Sequence, residues 1–240
     1  MIIYGKNAIL ECLRANKAVF AIYAHTAQQT KPSEILSLAH KAHIKVNFVD
    51  KATLNNLAKT EHHQGYVAEV EDFEYCEVED IIDCAHNKGQ QPFVVMLDGV
   101  EDPHNLGSIL RVCECAGVHG VIIPKYRACP INETVAKTSA GALGHIKIAR
   151  VTNLNNTIKK LKQNGMWVYA VELGGQDIYK QNLKGDLCLV IGSEGDGISQ
   201  LVKKNCDGVL TLPMFGKVNS LNASVACGIA VFEAVRQRRD

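Results

Sequence analysis

The feature that most limits the fold of this chain is the run Phe93-Val94-Val95-Met96-Leu97, five apolar residues without a polar interruption. A strand with one wet face alternates apolar and polar residues, so an unbroken run describes a strand covered on both sides, as in a parallel sheet flanked by helices. Further strand patterns stand at 121–123, 146–151, 167–171, 187–191 and 209–212. Helical spacing of apolar residues fills the gaps at 105–116, 132–143, 154–164 and 222–238. This alternation predicts an α/β domain on a mainly parallel sheet over residues 92–240.

Residues 1–75 carry a second, smaller pattern of mixed type. Helices are expected at 7–14, 33–43 (with Ser33 as N-cap after Pro32) and 51–59, and strands at 19–23, 45–49 and 65–70. Residues 76–91 read as an acidic linker, in part helical, ending in Asn87-Lys88-Gly89-Gln90-Gln91-Pro92. Net charge is +1 overall but runs +4 over 1–68, −7 over 69–90 and +4 over 91–240. Two basic blocks around an acidic stretch leave room for an RNA-facing surface that the total conceals.

Several classes are set aside. No apolar run approaches the roughly 18 residues of a membrane span, and the N-terminus lacks the layout of a signal peptide, so a cytoplasmic protein is expected. The nine cysteines are odd in number and include no C-x-x-C pair, which points to reduced thiols rather than a disulfide framework or a zinc site. No metal is expected.

Ligands of open α/β sheets sit beyond the carboxyl ends of the strands, so the loops after the strand patterns are where chemistry belongs. The first runs from Leu97 to Arg111, turns at Asp102-Pro103 and enters a helix capped by Asn105 or His104. Taken alone, Asn105 is an ordinary cap and Arg111 a surface residue. The second, Ile191-Gly192-Ser193-Glu194-Gly195-Asp196-Gly197, spaces three glycines with acidic residues. Glycine lets backbone approach a ligand closely, and the acids disfavour a phosphate while suiting a cationic or neutral group. The third leaves a strand at Leu212-Pro213-Met214 and enters a small-residue helix near Ser220 or Asn222.

Together and in this order, Asp102-Pro103-His104-Asn105-Leu106-Gly107 through Arg111, the Ile191–Gly197 loop, and Leu212-Pro213-Met214 through Ser220-Leu221-Asn222-Ala223-Ser224-Val225-Ala226 resemble the three motifs of the SpoU (TrmH) family of the SPOUT methyltransferases. The front block, with Tyr4-Gly5-Lys6-Asn7-Ala8, Leu13-Arg14 and His63-Gln64-Gly65, is similar to one rRNA-modifying branch. Ser193 stands where that family often has Ala, and Phe215-Gly216-Lys217 falls in a variable stretch.

The resemblance implies a SPOUT trefoil-knot domain over 92–240 behind an L30e-like RNA-binding domain, and a homodimer. It implies methyl transfer from S-adenosyl-L-methionine to a guanosine ribose 2′-hydroxyl of 23S rRNA. The cofactor contacts would fall on Gly192, Leu212, Leu221 and Met214, and the polar active-site positions on Asn105, Arg111, Glu194, Ser220 and Asn222. Arg111 is expected to position the ribose or its phosphate rather than act as base, given its very high pKa. Lys6, Arg14, Lys17 and His63 are expected RNA contacts of the front domain. A tRNA guanosine 2′-O-methyltransferase and a non-catalytic RNA-binding or assembly factor stay open as alternatives.

Overall fold

The computed structural model describes residues 1–15, 18–30, 32–218 and 220–239; Lys17 lies outside them. In chain order the elements are β1 (Ile2–Tyr4), α1 (Lys6–Arg14), β2 (Val19–His25), α2 (Glu34–Lys41), β3 (Lys45–Val49), α3 (Lys51–Ala58), β4 (Tyr66–Val70), α4 (Val78–Asn87), β5 (Phe93–Asp98) and α5 (Pro103–Cys115). They continue with β6 (Gly120–Pro124), α6 (Glu133–Thr138), β7 (Lys147–Val151), α7 (Leu154–Gln163), β8 (Trp167–Asp177), β9 (Leu187–Gly192), α8 (Gln200–Asn205), β10 (Gly208–Thr211) and α9 (Ala223–Arg238). No helix among the described residues is long and apolar enough to cross a membrane.

Two compact units result. The first joins Met1–Glu74 to Ile131–His145. Its four-stranded sheet has the order β1-β4-β2-β3, antiparallel except for the β2–β3 pair. The excursion 131–145 belongs here because Gly141, at φ 99°, lies against Glu11: a Cβ there would stand 2.1 Å from Glu11 Cγ. That turn, with Ala140 also at positive φ, ends α6 at Thr138, short of the helix expected to 143. Two of the expected RNA contacts also have partners within the unit. Arg14 pairs with Glu11 (2.7 Å) and Glu34 (2.8 Å). His63 is buried, accepts the Gly65 N–H at Nδ1 (3.0 Å) and shares Nε2 with Asn55 Oδ1 (2.9 Å). Burial and the nearby Lys51 push its pKa down, which favours the neutral ring.

The second unit comprises Tyr75–Pro130 and Ile146–Asp240. Its six strands are parallel throughout, in the order β10-β8-β9-β5-β6-β7. From β5 the chain moves outward through β6 to β7. It then crosses to β8 and returns to β9 beside β5. The β5–β9 seam is therefore the topological switch point, where the two loops diverge and open a crevice at the carboxyl edge. At the opposite edge Arg238, at the end of α9, donates to Pro92 O (3.1 Å) and to Gly185 O, with its guanidinium 4.7 Å from the Phe93 ring centre.

Residues 76–91, read from sequence as an acidic linker, hold α4 and belong to this unit. Glu77 and Asp80 form a reciprocal capping box, the acids lie outward, and Ile81 and Ala85 are buried. The acidity reflects one wet face of an amphipathic helix rather than a tether. Ile81 packs so closely that a Cβ on Gly120 would lie 2.6 Å from its side chain. We expect Ile81→Ala to destabilise the protein by about 2–4 kcal/mol, measured by urea unfolding; a true linker residue would cost almost nothing.

Candidate active site

The loop after β5 is set by Asp102, whose carboxylate caps α5 by accepting the His104 N–H (2.8 Å), with Pro103 in the first helical position. The cap expected at Asn105 or His104 therefore lies upstream. Pro103 has no N–H to satisfy and a φ suited to a helix start, so the helix begins there. Asn105 becomes the third helical residue, and its amide is free to reach across the seam. Asp98, closing β5, accepts the Ser199 N–H (2.9 Å) and fixes the exit of the β9 loop.

That β9 loop is a tight closure. Ser193 and Gly197 exchange both backbone hydrogen bonds at 3.2 Å, and Asp196 N–H donates to Ser193 Oγ (3.3 Å). Gly192 is required by space: a Cβ there would stand 2.3 Å from the Gly197 carbonyl carbon and 2.6 Å from its oxygen. Glu172, on β8, steadies the far side by accepting from Ile198 N–H (3.0 Å) and Lys203 Nζ (2.8 Å). Sequence reading missed it, although a polar residue directly after the apolar run of β8 was the available signal.

The third segment returns from β10 and enters α9 through Asn222. Its Oδ1 accepts from Ser224 N–H (3.0 Å), Val225 N–H (3.3 Å) and Ser224 Oγ–H (2.6 Å), which makes it the N-cap. Its Nδ2 donates to Asn105 Oδ1 (2.9 Å) and to Glu194 Oε1. The same Glu194 oxygen accepts from Asn105 Nδ2 (3.0 Å). One carboxylate thus gathers the three loops.

Behind this cluster lies a cleft of about 260 Å³ whose lining includes Gly192, Glu194, Leu212, Met214, Ser220 and Leu221. Six of the nine expected residues share this lining, counting two by role in catalysis and four as cofactor contacts. Asn105 and Asn222 join it through Glu194. Arg111 does not: it stands on the exposed side of α5 with no hydrogen-bond or ion-pair partner among the described residues. A larger hollow of about 560 Å³ lies between α4 and α7, with Glu79, Asp83, Arg150 and Lys160 in its lining, but no glycine loop opens onto it. In the cleft, apolar walls and outward carboxylates offer a slot for a flat, uncharged group beside a place for positive charge.

Two family descriptions match the chain: the SpoU rRNA methylase family over residues 92–232, and RNA 2′-O ribose methyltransferase substrate binding over residues 2–76. A Bacillus subtilis protein named as a TrmH family tRNA/rRNA methyltransferase is 43% identical over 98% of this chain and 95% of its own length. Among solved structures, the SpoU methyltransferase AviRb of Streptomyces viridochromogenes, in complex with AdoMet, has a TM-score of 0.83 at 22% identity, covering 100% of this chain and 91% of that one. An AdoMet-bound rRNA methyltransferase of Sinorhizobium meliloti has 0.81 at 24%, covering 98% and 86%. At these identities the likeness is one of fold, a parallel-sheet α/β domain following a small α/β domain.

Gly192→Ala should force the β9 loop apart, lowering stability by about 1–3 kcal/mol and removing cofactor binding. Thermal unfolding and calorimetric titration with S-adenosylmethionine check both effects.

Proposed function

The chain belongs to the SpoU rRNA methylase family, and we propose that it methylates a guanosine ribose 2′-hydroxyl of 23S rRNA in the cytoplasm, as the RlmB branch does. The observation that supports this most is Glu194 held between Asn105 and Asn222 at the mouth of the cleft. The lining suits S-adenosylmethionine, the family's methyl donor: Val171, Leu173, Ile191, Leu212, Met214 and Leu221 offer apolar walls, and the exposed carboxylates suit a cation. Gly192, Leu212, Met214 and Leu221 would hold it. When bound, it supplies a methyl group on a positively charged sulfur.

The chain's own residues must then align the ribose and accommodate the proton leaving its 2′-oxygen. Glu194, fixed by two amide donors, keeps oxygen lone pairs for the substrate hydroxyl or for a guanidinium. Asn105 and Asn222 hold that carboxylate, and Ser220 offers a hydroxyl on the cleft wall. Arg111 grips the ribose phosphate and stabilises the developing charge, a role suited to a fork that stays protonated. Alignment supplies most of the acceleration.

Arg111 reaches the cleft through a homodimer. Val225, Ile229 and Phe232 lie at 47%, 37% and 50% exposure, four and three residues apart on α9, which packs against α5. An apolar stripe of this kind favours a second copy of the chain, and a two-fold axis there carries Arg111 of one subunit toward the cleft of the other. The front unit, in which Lys6 is exposed, contributes RNA affinity.

Labelled methyl transfer to unmodified 23S rRNA, with tRNA in parallel, tests the substrate. Mapping to an rRNA guanosine is expected; methylation of tRNA alone would overturn the rRNA assignment and keep the chemistry. Arg111→Ala should lower kcat about a hundredfold while leaving S-adenosylmethionine affinity unchanged. Mixing Arg111→Ala with Glu194→Gln subunits should restore about a quarter of wild-type activity, because only mixed dimers contain one intact shared site. No recovery would place both residues in one subunit's site.

A further inference from the structure

Tyr126 and Arg127 do not line the cleft just described. They form the tip of the loop after β6, which opens at the same carboxyl edge as the cleft because the sheet is parallel. The two ends of this loop are fastened. Lys125 N–H donates to Val151 O (2.7 Å), Arg150 donates to Lys125 O (3.2 Å), and Cys129 N–H donates to Val100 O (3.0 Å). Between those anchors the Tyr126 and Arg127 side chains face solvent. The Tyr126 ring is 70% exposed, and Lys125 Nζ lies 5.9 Å from its centre.

Arg127 has φ 57°, the left-handed region that side chains rarely adopt. Its ion pair is with Asp196 at 3.9 Å, and the two side chains are 65% and 88% exposed, so water screens the pair almost completely. Asp196 is itself part of the cleft lining. A strained cation, loosely parked at the mouth of a binding cleft beside a bare aromatic ring, is arranged for something outside the chain.

We propose that Tyr126 and Arg127 receive the nucleotide next to the methylated one, with its base stacked on Tyr126 and its phosphate gripped by Arg127. The proposal rests on the RNA methyl-transfer reading above. Single-stranded RNA is recognised chiefly by stacking unpaired bases on aromatic rings and by guanidinium contacts to phosphate. Arg127 exchanges a weak, solvated carboxylate for a bidentate phosphate, and Lys125 adds positive charge beside the stacked ring.

The test uses the full chain and a fluorescent, unmodified transcript of large-subunit rRNA, with affinity read by anisotropy at several salt concentrations. Thermal stability and S-adenosylmethionine affinity are measured in parallel. Tyr126→Ala should weaken RNA binding about tenfold, whereas Tyr126→Phe, which keeps the ring, should match wild type. Arg127→Gly should weaken it comparably and lower the salt slope by roughly one phosphate contact, with a Tm no lower than wild type because glycine accepts this φ. S-adenosylmethionine affinity should stay within about twofold in all variants. Wild-type RNA affinity in Tyr126→Ala and Arg127→Gly would overturn the proposal and leave methyl transfer standing. Equal loss in Tyr126→Phe and Tyr126→Ala would overturn the stacking role, and a wild-type chain that binds no RNA would overturn both readings.

Discussion

The wall of the cleft at the carboxyl edge of the parallel sheet depends on one carboxylate oxygen. Glu194 Oε1 accepts from Asn105, 89 residues upstream, and from Asn222, 28 residues downstream. It thereby joins the loop after β5, the loop after β9 and the start of α9. Asp98 and Glu172 already tie the far end of the β9 loop to β5 and β8, but among the described residues only this junction draws the start of α9 to both loops. With it the three segments become the wall of a cleft. Hydrogen bonds to a charged acceptor are stronger than neutral ones, and their directions fix both asparagine amides.

The sheet supplies the rigid platform for this junction. Asp98 and Gly192 end adjacent strands in register, so the two loops leave the sheet side by side and must part at the switch point. Helix α9, about 24 Å long from its 16 residues, runs from the cleft at Asn222 to Arg238, whose guanidinium is fastened to the backbone at the other edge.

Much of this was legible in the sequence, for identifiable reasons. The unbroken apolar run at 93–97 announced β5 and the parallel sheet, and the three loops were marked by glycine, proline and asparagine at strand ends. The individual roles were less visible. Asn105 and Asn222 both read locally as helix caps, but Asp102 takes that task for α5 and Asn222 alone keeps it for α9. The two are distinguished by contacts between residues far apart in sequence, which no local pattern records. Acidity at 76–91 suggested a tether because charge is conspicuous, while the spacing of Ile81 and Ala85, which makes α4 part of the core, is not. β1 and α8 are too short to show a period. Arg111 was grouped with the cluster by motif, whereas its position on α5 leaves it apart within its own chain.

The floor of the cleft is backbone against backbone where Gly192 meets Gly197. No side chain stands there to be exchanged, and even a methyl group is too large. At the rim the situation is reversed: a Cβ on Gly195 would touch nothing, and Asp196 makes only a loose pair. Mutation in a diverging lineage is therefore filtered unevenly over a few ångströms, severely at the floor and hardly at all at the rim. A descendant can vary the rim while the backbone contact that shapes the floor is inherited unaltered, so this architecture changes from its edge inward.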